Sequence, residues 1–166
     1  MAKSKKQKKK PKKVGGPFLA AAVFCESIME DKAGKISAVG IMDGVAFWLS
    51  TDAPPDVPSK GNPITFMQNI LIILRTGDSP GKHKLRLVME QPSGKRSDVL
   101  NQDISLSAPL HGGCNVKTQA SLSVYSSGVF LIDVILNDKR LTRMPLNVSI
   151  QRLPSTMADN AKGKKN

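Results

Sequence analysis

The chain has 166 residues, which suits one domain, because a core of this size buries about two-thirds of the surface that the unfolded chain exposes. Its formal net charge of +12 lies almost entirely at the two ends: the central part has 14 basic and 12 acidic residues, a net charge of only +2. A body so evenly charged is not that of a strongly basic nucleic-acid-binding domain, and no window approaches the roughly 20 apolar residues of a membrane helix.

The N-terminal segment is rich in lysine. Residues 1–13 contain no acidic residue and eight lysines: Lys3, Lys5, Lys6, Lys8, Lys9, Lys10, Lys12 and Lys13. Segments with so few apolar residues cannot form a core, so we predict disordered basic tails over residues 1–15 and 154–166. The lysines could attract any polyanion, but without arginine or aromatic residues they cannot recognise bases specifically. Nonspecific RNA or DNA binding, an anionic membrane surface and mere solubilisation all remain open.

Residues 16–153 are predicted to form the folded domain. Phe18 to Asp31 could be a helix or a strand, and we favour a strand that forms a hairpin about Gly34 with the strand Ile36 to Met42. The apolar run Pro17 to Cys25 imitates a signal peptide, but it spans only about nine residues and Glu26 follows at once. We therefore expect a soluble, cytoplasmic protein.

The remainder of the domain alternates between apolar and polar residues with period two. Thr51 to Pro63 holds four prolines and reads as a long surface loop. Three one-sided strands follow, over residues 84–90, 116–125 and 146–151. Turn signals separate the strands at Asp78–Gly81, Pro92–Gly94 and Asn137–Asp138.

This pattern predicts an all-β fold, an antiparallel β-sandwich of immunoglobulin-like or C2-like type with about 7–9 strands. Parallel pairs would need crossover helices, for which the sequence has no room. Ser126 to Phe130 is similar to the corner before strand F of immunoglobulin-like sandwiches. Phe130 stands there in place of the tyrosine, so the hydrogen bond of that tyrosine is not expected.

Several stretches imitate functional motifs, and each lacks a required residue. Gly77 to His83 resembles a phosphate loop, but it is one residue short and has His83 where a hydroxyl should bind magnesium. His111 to Cys114 resembles the oxyanion segment of esterases, yet the chain has no G-x-S-x-G elbow. A nucleophilic pair of Cys114 and His111 stays open as a minor alternative.

The cysteine and histidine counts limit other chemistry. Cys25 and Cys114 are expected to be free thiols that pack as small apolar residues. Two histidines cannot build a histidine-rich metal site, and the acidic residues do not follow a calcium-loop pattern. We expect no catalytic residue, no metal and no cofactor.

Three segments carry a family resemblance: Cys25 to Ile28, Gly34 to Asp43 and Leu141 to Leu146. Over about residues 17–151 the chain resembles a family of small bacterial proteins of unknown function. The resemblance implies a β-sandwich of this length and assigns no role to any residue.

The sequence thus favours a non-catalytic binding or assembly module with a protein partner, contacted by strand addition at an exposed edge or by the proline-rich loop. The alternative is a nonspecific nucleic-acid-associated protein that binds through its lysine tail. The oligomeric state stays open.

Overall fold

The computed structural model describes residues 15–107 and 112–153, and it places nine strands in them. The strands are β1 (Phe18–Glu30), β2 (Ile36–Met42), β3 (Gly44–Leu49), β4 (Ile64–Arg75), β5 (Gly81–Glu90), β6 (Arg96–Leu106), β7 (Gly113–Val124), β8 (Gly128–Leu136) and β9 (Lys139–Arg152). The predicted tails lie outside these residues, apart from Gly15. Nothing helical that could cross a membrane occurs within the described ranges.

The strands form two sheets, and the all-β prediction is confirmed. Sheet A has the order β2-β1-β4-β7, and sheet B has the order β3-β9-β8-β5-β6. All pairs are antiparallel except β3 with β9, which run parallel from Gly44↔Asn147 to Leu49↔Arg152. The expectation of purely antiparallel pairing was therefore wrong at this edge. A parallel pair needs a long connection, and here the five intervening strands, β4 to β8, supply it instead of a helix.

The core follows the period-two alternation of the sequence. Val116, Ala120, Leu122 and Val124 of β7 are buried, whereas Lys117, Gln119 and Ser121 between them are exposed. The inward side chains of both sheets join in one hydrophobic cluster, whose largest fully buried members include Phe130, Ile70, Leu74, Leu85 and Leu146. Phe18 to Glu30 is a strand, and its hairpin with β2 turns at the predicted glycine.

The corner before β8 comprises Ser126 to Gly128 and leads into Phe130. Phe130 is buried in the core. A backbone hydrogen bond is made by Ser127 instead, whose Oγ accepts from the Ile150 N–H at 2.9 Å. The corner is thus tied to β9 through a serine.

The turn between β8 and β9 depends on two residues with positive φ, Asn137 (48°) and Asp138 (64°). This is the geometry of the tight hairpin turns in which asparagine and aspartate are favoured. The Asn137 side chain also holds β5, because its Oδ1 accepts from the Lys84 N–H at 2.9 Å. Its Nδ2 donates to Nδ1 of His83 at 2.8 Å, so His83 carries its proton on Nε2 and donates it to the Ser79 carbonyl at 3.0 Å.

We expect Asn137→Ala to lower the free energy of unfolding by about 1–3 kcal/mol, because alanine disfavours positive φ and leaves the Lys84 N–H and His83 without their partner. Urea denaturation at neutral pH measures the change. Ser93→Ala in the exposed β5–β6 turn is the control and should cost less than about 0.5 kcal/mol. Equal effects of the two substitutions would contradict this role of Asn137.

Candidate binding groove

Strand β1 pairs with β4 over only part of its length. The register runs from Phe18↔Arg75 to Cys25↔Asn69 and stops there, although β1 continues to Glu30 beside β2. Beyond Cys25 the two strands part.

An ion pair shows where the rest of β1 goes. The Glu30 carboxylate pairs with Lys117 of β7. In the register of sheet A, Lys117 is level with Leu71 of β4, and Leu71 is level with Val23 of β1. Seven residues separate Val23 from Glu30, about 23 Å of extended strand, so a straight β1 would carry Glu30 far past Lys117. The distal part of the β1–β2 hairpin must therefore bend back over the outer side of sheet A. Leu71 faces outward there and is nonetheless only 4% exposed, as expected beneath such a cover.

Two features of the local sequence allow and hold the bend. Gly40 of β2 has a φ of +63°, and a Cβ at this position would lie 2.6 Å from the Glu26 side chain. Gln68 is buried, and its Nε2 donates to the carbonyls of Cys25 and Asn69, both at 3.1 Å. Asn69 Nδ2 donates to the Glu26 carbonyl at 2.6 Å. Polar side chains of β4 thus bond the backbone at the point where β1 departs.

The departure of β1 opens a groove. On the side of β4 that β1 leaves, residues Ile64–Gln68 pair with no described strand. Among the described strands, β3 pairs only with β9, so its other edge is also free. We call the space between these two free edges the β3–β4 groove. It holds a cavity of about 360 Å³ whose lining side chains are Cys25, Glu26, Met42, Val45, Ala46, Phe47, Phe66, Met67, Gln68 and Asn69.

The groove combines an apolar wall with free backbone groups. The rings of Phe47 and Phe66 meet across it with centroids 5.0 Å apart, and Met67 is 53% exposed at its rim. Glu26 adds one carboxylate. Unpaired strand edges present N–H and C=O groups to an incoming chain, so this arrangement can accept an extended peptide.

The two thiols contribute no activated group. Cys25 is buried and Cys114 is partly buried, and both are free, as the sequence predicts. They oppose Asn69 and Leu74 on opposite sides of β4, about 17 Å apart along the strand, too far for a disulfide. Burial raises the pKa of both thiols, the reverse of an activated nucleophile. His111, the proposed partner of Cys114, lies outside the described residues.

The other stretches that the sequence analysis considered for function have structural roles. Gly77 to Pro80 is a turn, but it connects β4 of sheet A with β5 of sheet B, so the expectation of a hairpin between two paired strands was wrong. The proline-rich loop is fixed to β9, because the Arg152 guanidinium donates to the carbonyls of Ala53 (2.9 Å), Pro54 (2.7 Å) and Val57 (2.9 Å). Within the described residues, no three His, Cys, Asp or Glu side chains are placed to hold a metal ion. The eight predicted polyanion-binding lysines lie outside these residues.

A charged cluster on the outer side of sheet B was missed by sequence reasoning. Asp133 of β8 is 1% exposed, and Arg143 binds it through Nε at 2.7 Å and Nη2 at 3.0 Å. Arg96 reaches the same carboxylate at 2.6 Å, and Glu90 accepts from Arg143 at 3.1 Å. The signal was a lone aspartate within the apolar run Leu131–Leu136, but its arginine partners come from two other strands, β6 and β9.

The electrostatics of this cluster are those of a stabilising network. Hydrogen bonds from Arg143 lower the pKa of Asp133, against the burial that raises it, and the charges of Arg143, Arg140 and Arg96 lower it further. Arg86 pairs in turn with Asp98 at 3.2 Å and Asp138 at 3.6 Å. Each arginine of the cluster already has a carboxylate partner, so the cluster does not provide a free anion site.

Comparisons with known proteins identify no family for the chain. No family model and no curated protein matches the chain. Among solved structures the chain is similar to the alkylpurine DNA glycosylase AlkC of Pseudomonas fluorescens, bound to DNA containing an abasic site analog. The identity is 10% and the TM-score 0.41, over 64% of this chain and 27% of the glycosylase. So low a TM-score supports no inference about fold or function.

We expect Asp133→Asn to lower the free energy of unfolding by about 3 kcal/mol at pH 7, because it leaves the arginines without their buried carboxylate. The folded-state pKa of Asp133 is lowered, so its contribution is complete above its unfolded pKa of about 3.9 and is lost as the pH falls through the lower folded value. The gap between the two proteins should therefore be constant above about pH 5 and shrink below pH 4.

Urea unfolding from pH 2.5 to 8 measures this gap. Asp98→Asn, which removes a carboxylate with 57% side-chain exposure, is the control and should cost less than about 1 kcal/mol. A gap for Asp133→Asn that persists unchanged at pH 2.5 would refute the electrostatic origin.

Proposed function

We propose that the chain is a non-catalytic binding and assembly module whose β3–β4 groove receives an extended segment of a partner protein. The observation that carries the proposal is the free edge of Ile64–Gln68 facing the free edge of β3. In strand addition, main-chain hydrogen bonds supply affinity and pockets for alternate side chains supply specificity. The groove offers both.

We also infer that the two sheets form a sandwich of the immunoglobulin-like or C2-like type. Support comes from the single hydrophobic cluster that joins the inward side chains of sheets A and B. Such sandwiches bind partners at edges and loops while the core stays fixed. A cytoplasmic location, and kinship with the family of small bacterial proteins, remain predictions from the sequence.

The lining of the groove indicates the chemistry of the partner segment. The free edge of β4 spans five residues, so the segment is a short extended stretch. Its apolar side chains would contact Phe47, Phe66 and Met67, and a basic side chain would complement Glu26. The raised pKa values of both thiols agree with a binding role rather than thiol chemistry.

The first test uses a peptide of alternating valine and threonine with a lysine at each end, titrated into the isotope-labelled full chain. We expect amide shifts confined to residues 25–26, 42–49 and 64–69, which line or border the groove. We expect Met67→Arg to weaken binding at least about ten-fold, because it places a cation at the rim of the groove. Isothermal titration calorimetry measures the affinity.

Matched controls distinguish binding in the groove from nonspecific binding elsewhere on the domain. Val129→Arg changes a valine of β8 with 47% exposure on sheet B and should leave binding unchanged. A peptide with glutamate at both ends should bind more weakly than the lysine peptide, because it faces Glu26. Equal weakening by both arginine variants, or no binding at millimolar peptide, would overturn the proposal.

Two further results would assign the groove to another occupant and so contradict the partner-protein version. If removal of residues 154–166 raises the peptide affinity ten-fold, the end of the chain itself fills the groove. If sedimentation shows a dimer that Met67→Arg dissociates and Val129→Arg does not, the occupant is a second copy.

A further inference from the structure

Strand β2 forms one end of sheet A, and among the described strands it pairs only with β1. Its residues, Ile36–Met42, include no charged residue and no proline. Edge strands usually carry such residues, because they hinder pairing with the edge of another chain. The edge strands β6 and β7 follow this rule, since Arg96, Asp98 and Lys117 lie in them. The free edge of β2 lacks this protection.

The hairpin turn shows which backbone groups of β2 point away from β1. Asp31 N–H donates to the Lys35 carbonyl at 3.0 Å, so Lys35 directs its backbone groups toward β1. In an antiparallel pair, successive residues of a strand direct their N–H and C=O groups to opposite edges. Ile36, Ala38 and Met42 therefore direct theirs to the free edge, where a second strand can bind them.

The side chains beside this edge are apolar and exposed. Val39 and Ile41 of β2 are 43% and 64% exposed, and Met29 of β1, which is level with Ser37, is 55% exposed. All of them lie on one face of the hairpin, because side chains alternate between the two faces. A cavity of about 240 Å³ adjoins Ile41 and leaves that end of the edge open. A strand added to β2 would cover part of this apolar face.

The charges at the two ends of β2 indicate what that strand is. Lys35 precedes β2 and Asp43 follows it, both are exposed, and neither makes an ion pair with a described residue. Each lies four residues from Val39. A twofold axis at Val39 would therefore place Lys35 of each copy opposite Asp43 of the other, whereas parallel pairing in register would place lysine beside lysine. The edge is complementary to itself.

We propose that the chain forms a twofold-symmetric dimer in which the β2 strands of two copies pair antiparallel about Val39. Ile36 of each copy exchanges two backbone hydrogen bonds with Met42 of the other, because both direct these groups to the free edge. Val39 meets Val39 of the second copy as a non-hydrogen-bonded pair, in which side chains come closest. Two four-stranded sheets A become one continuous sheet. The dimer does not depend on a ligand in the β3–β4 groove.

Gly40 limits the strength of this pairing. Its φ of +63° interrupts the extended backbone, although the register with β1 continues beyond it to Phe24↔Met42. In the dimer Gly40 lies opposite Ala38, and neither has a large side chain that would hold the backbones apart. Full hydrogen bonding is therefore expected at the two Ile36–Met42 pairs. An interface of this length is small, so we expect a dimer with a Kd of about 10–100 μM.

The experiment reverses the charges at the ends of β2 in the full chain. Lys35→Glu puts a carboxylate opposite Asp43, and Asp43→Lys puts an ammonium group opposite Lys35, so each variant alone has two repulsive contacts per dimer. We expect each substitution to raise the dimer Kd at least about ten-fold. Sedimentation equilibrium measures Kd.

A mixture of the two charge variants tests the register. In a dimer of one Lys35→Glu chain and one Asp43→Lys chain, both contacts at the ends of β2 become attractive again. We expect this mixed dimer to form with a Kd within about three-fold of the wild-type value. Sedimentation with one variant fluorescently labelled measures it.

Matched controls carry the same charge changes elsewhere. Lys95→Glu in the β5–β6 turn and Asp56→Lys in the proline-rich loop alter exposed residues, and each should change Kd less than about two-fold. Lys35→Glu lowers the positive charge of the chain, which by general repulsion alone would favour association. Met67→Arg, at the rim of the β3–β4 groove, should leave the dimer intact, so the dimer and the groove are tested separately.

Hydrogen exchange locates the interface. Raising the protein concentration from about 10 μM to about 1 mM should slow exchange of the Ile36 and Met42 amides, because both become hydrogen-bonded in the dimer. The amides of β2 that face β1 should change little. Val39→Lys sets two ammonium groups side by side and should abolish the effect, whereas Val129→Lys on sheet B should not.

Any of four outcomes overturns the proposal. These are a monomer at about 1 mM, equal weakening by the control variants, a mixture of the charge variants that does not dimerise, and a dimer in which the Ile36 and Met42 amides stay unprotected. A dimer that Met67→Arg dissociates would place the second copy in the groove and would also contradict it. All the substituted side chains are exposed, and thermal unfolding monitored by circular dichroism verifies that the variants fold.

Discussion

The hydrogen bonds at the point where β1 leaves β4 govern the shape of sheet A. A strand that stops pairing midway exposes backbone carbonyls, and buried carbonyls without partners cost about 1–3 kcal/mol each. Gln68 and Asn69 supply the partners, to the carbonyls of Cys25, Asn69 and Glu26. With these groups satisfied, the β1–β2 hairpin can bend away and meet Lys117. The groove exists because β1 does not continue along β4.

Sheet B is stabilised by a different interaction, the ion pairs of a buried carboxylate. Its outer side buries Asp133, and a buried carboxylate is tolerable only when cations and hydrogen bonds replace the lost water. Arg143 and Arg96 provide them from β9 and β6, so one carboxylate links three strands. The fold thus has a groove between a free edge of sheet A, at β4, and a free edge of sheet B, at β3, while ion pairs cover part of the outer side of sheet B.

The basic residues of the domain also fall into two groups, those that form ion pairs and those that do not. The arginines of sheet B pair with carboxylates within the cluster, whereas the exposed Lys82, Lys84 and Lys139 make no ion pair with a described residue. A net charge of +2 for the central part is correct as a sum and hides this asymmetry. Since solvent-exposed charges interact mainly within about 8–10 Å, their local grouping decides which ligands a surface attracts.

The sequence by itself determined the all-β class, the strands with clear alternation such as β5 and β7, and most turns. Alternation in β7 and the turn residues Asn137 and Asp138 act locally, through side-chain direction and backbone φ. Only the tertiary structure decided the parallel β3–β9 pair, the bend after Cys25 and the partners of Asp133. Each depends on residues far apart in the chain, such as Glu30 with Lys117 and Arg96 with Asp133. Periodicity reports which face of a strand is buried, but it carries no information about which strand lies beside it.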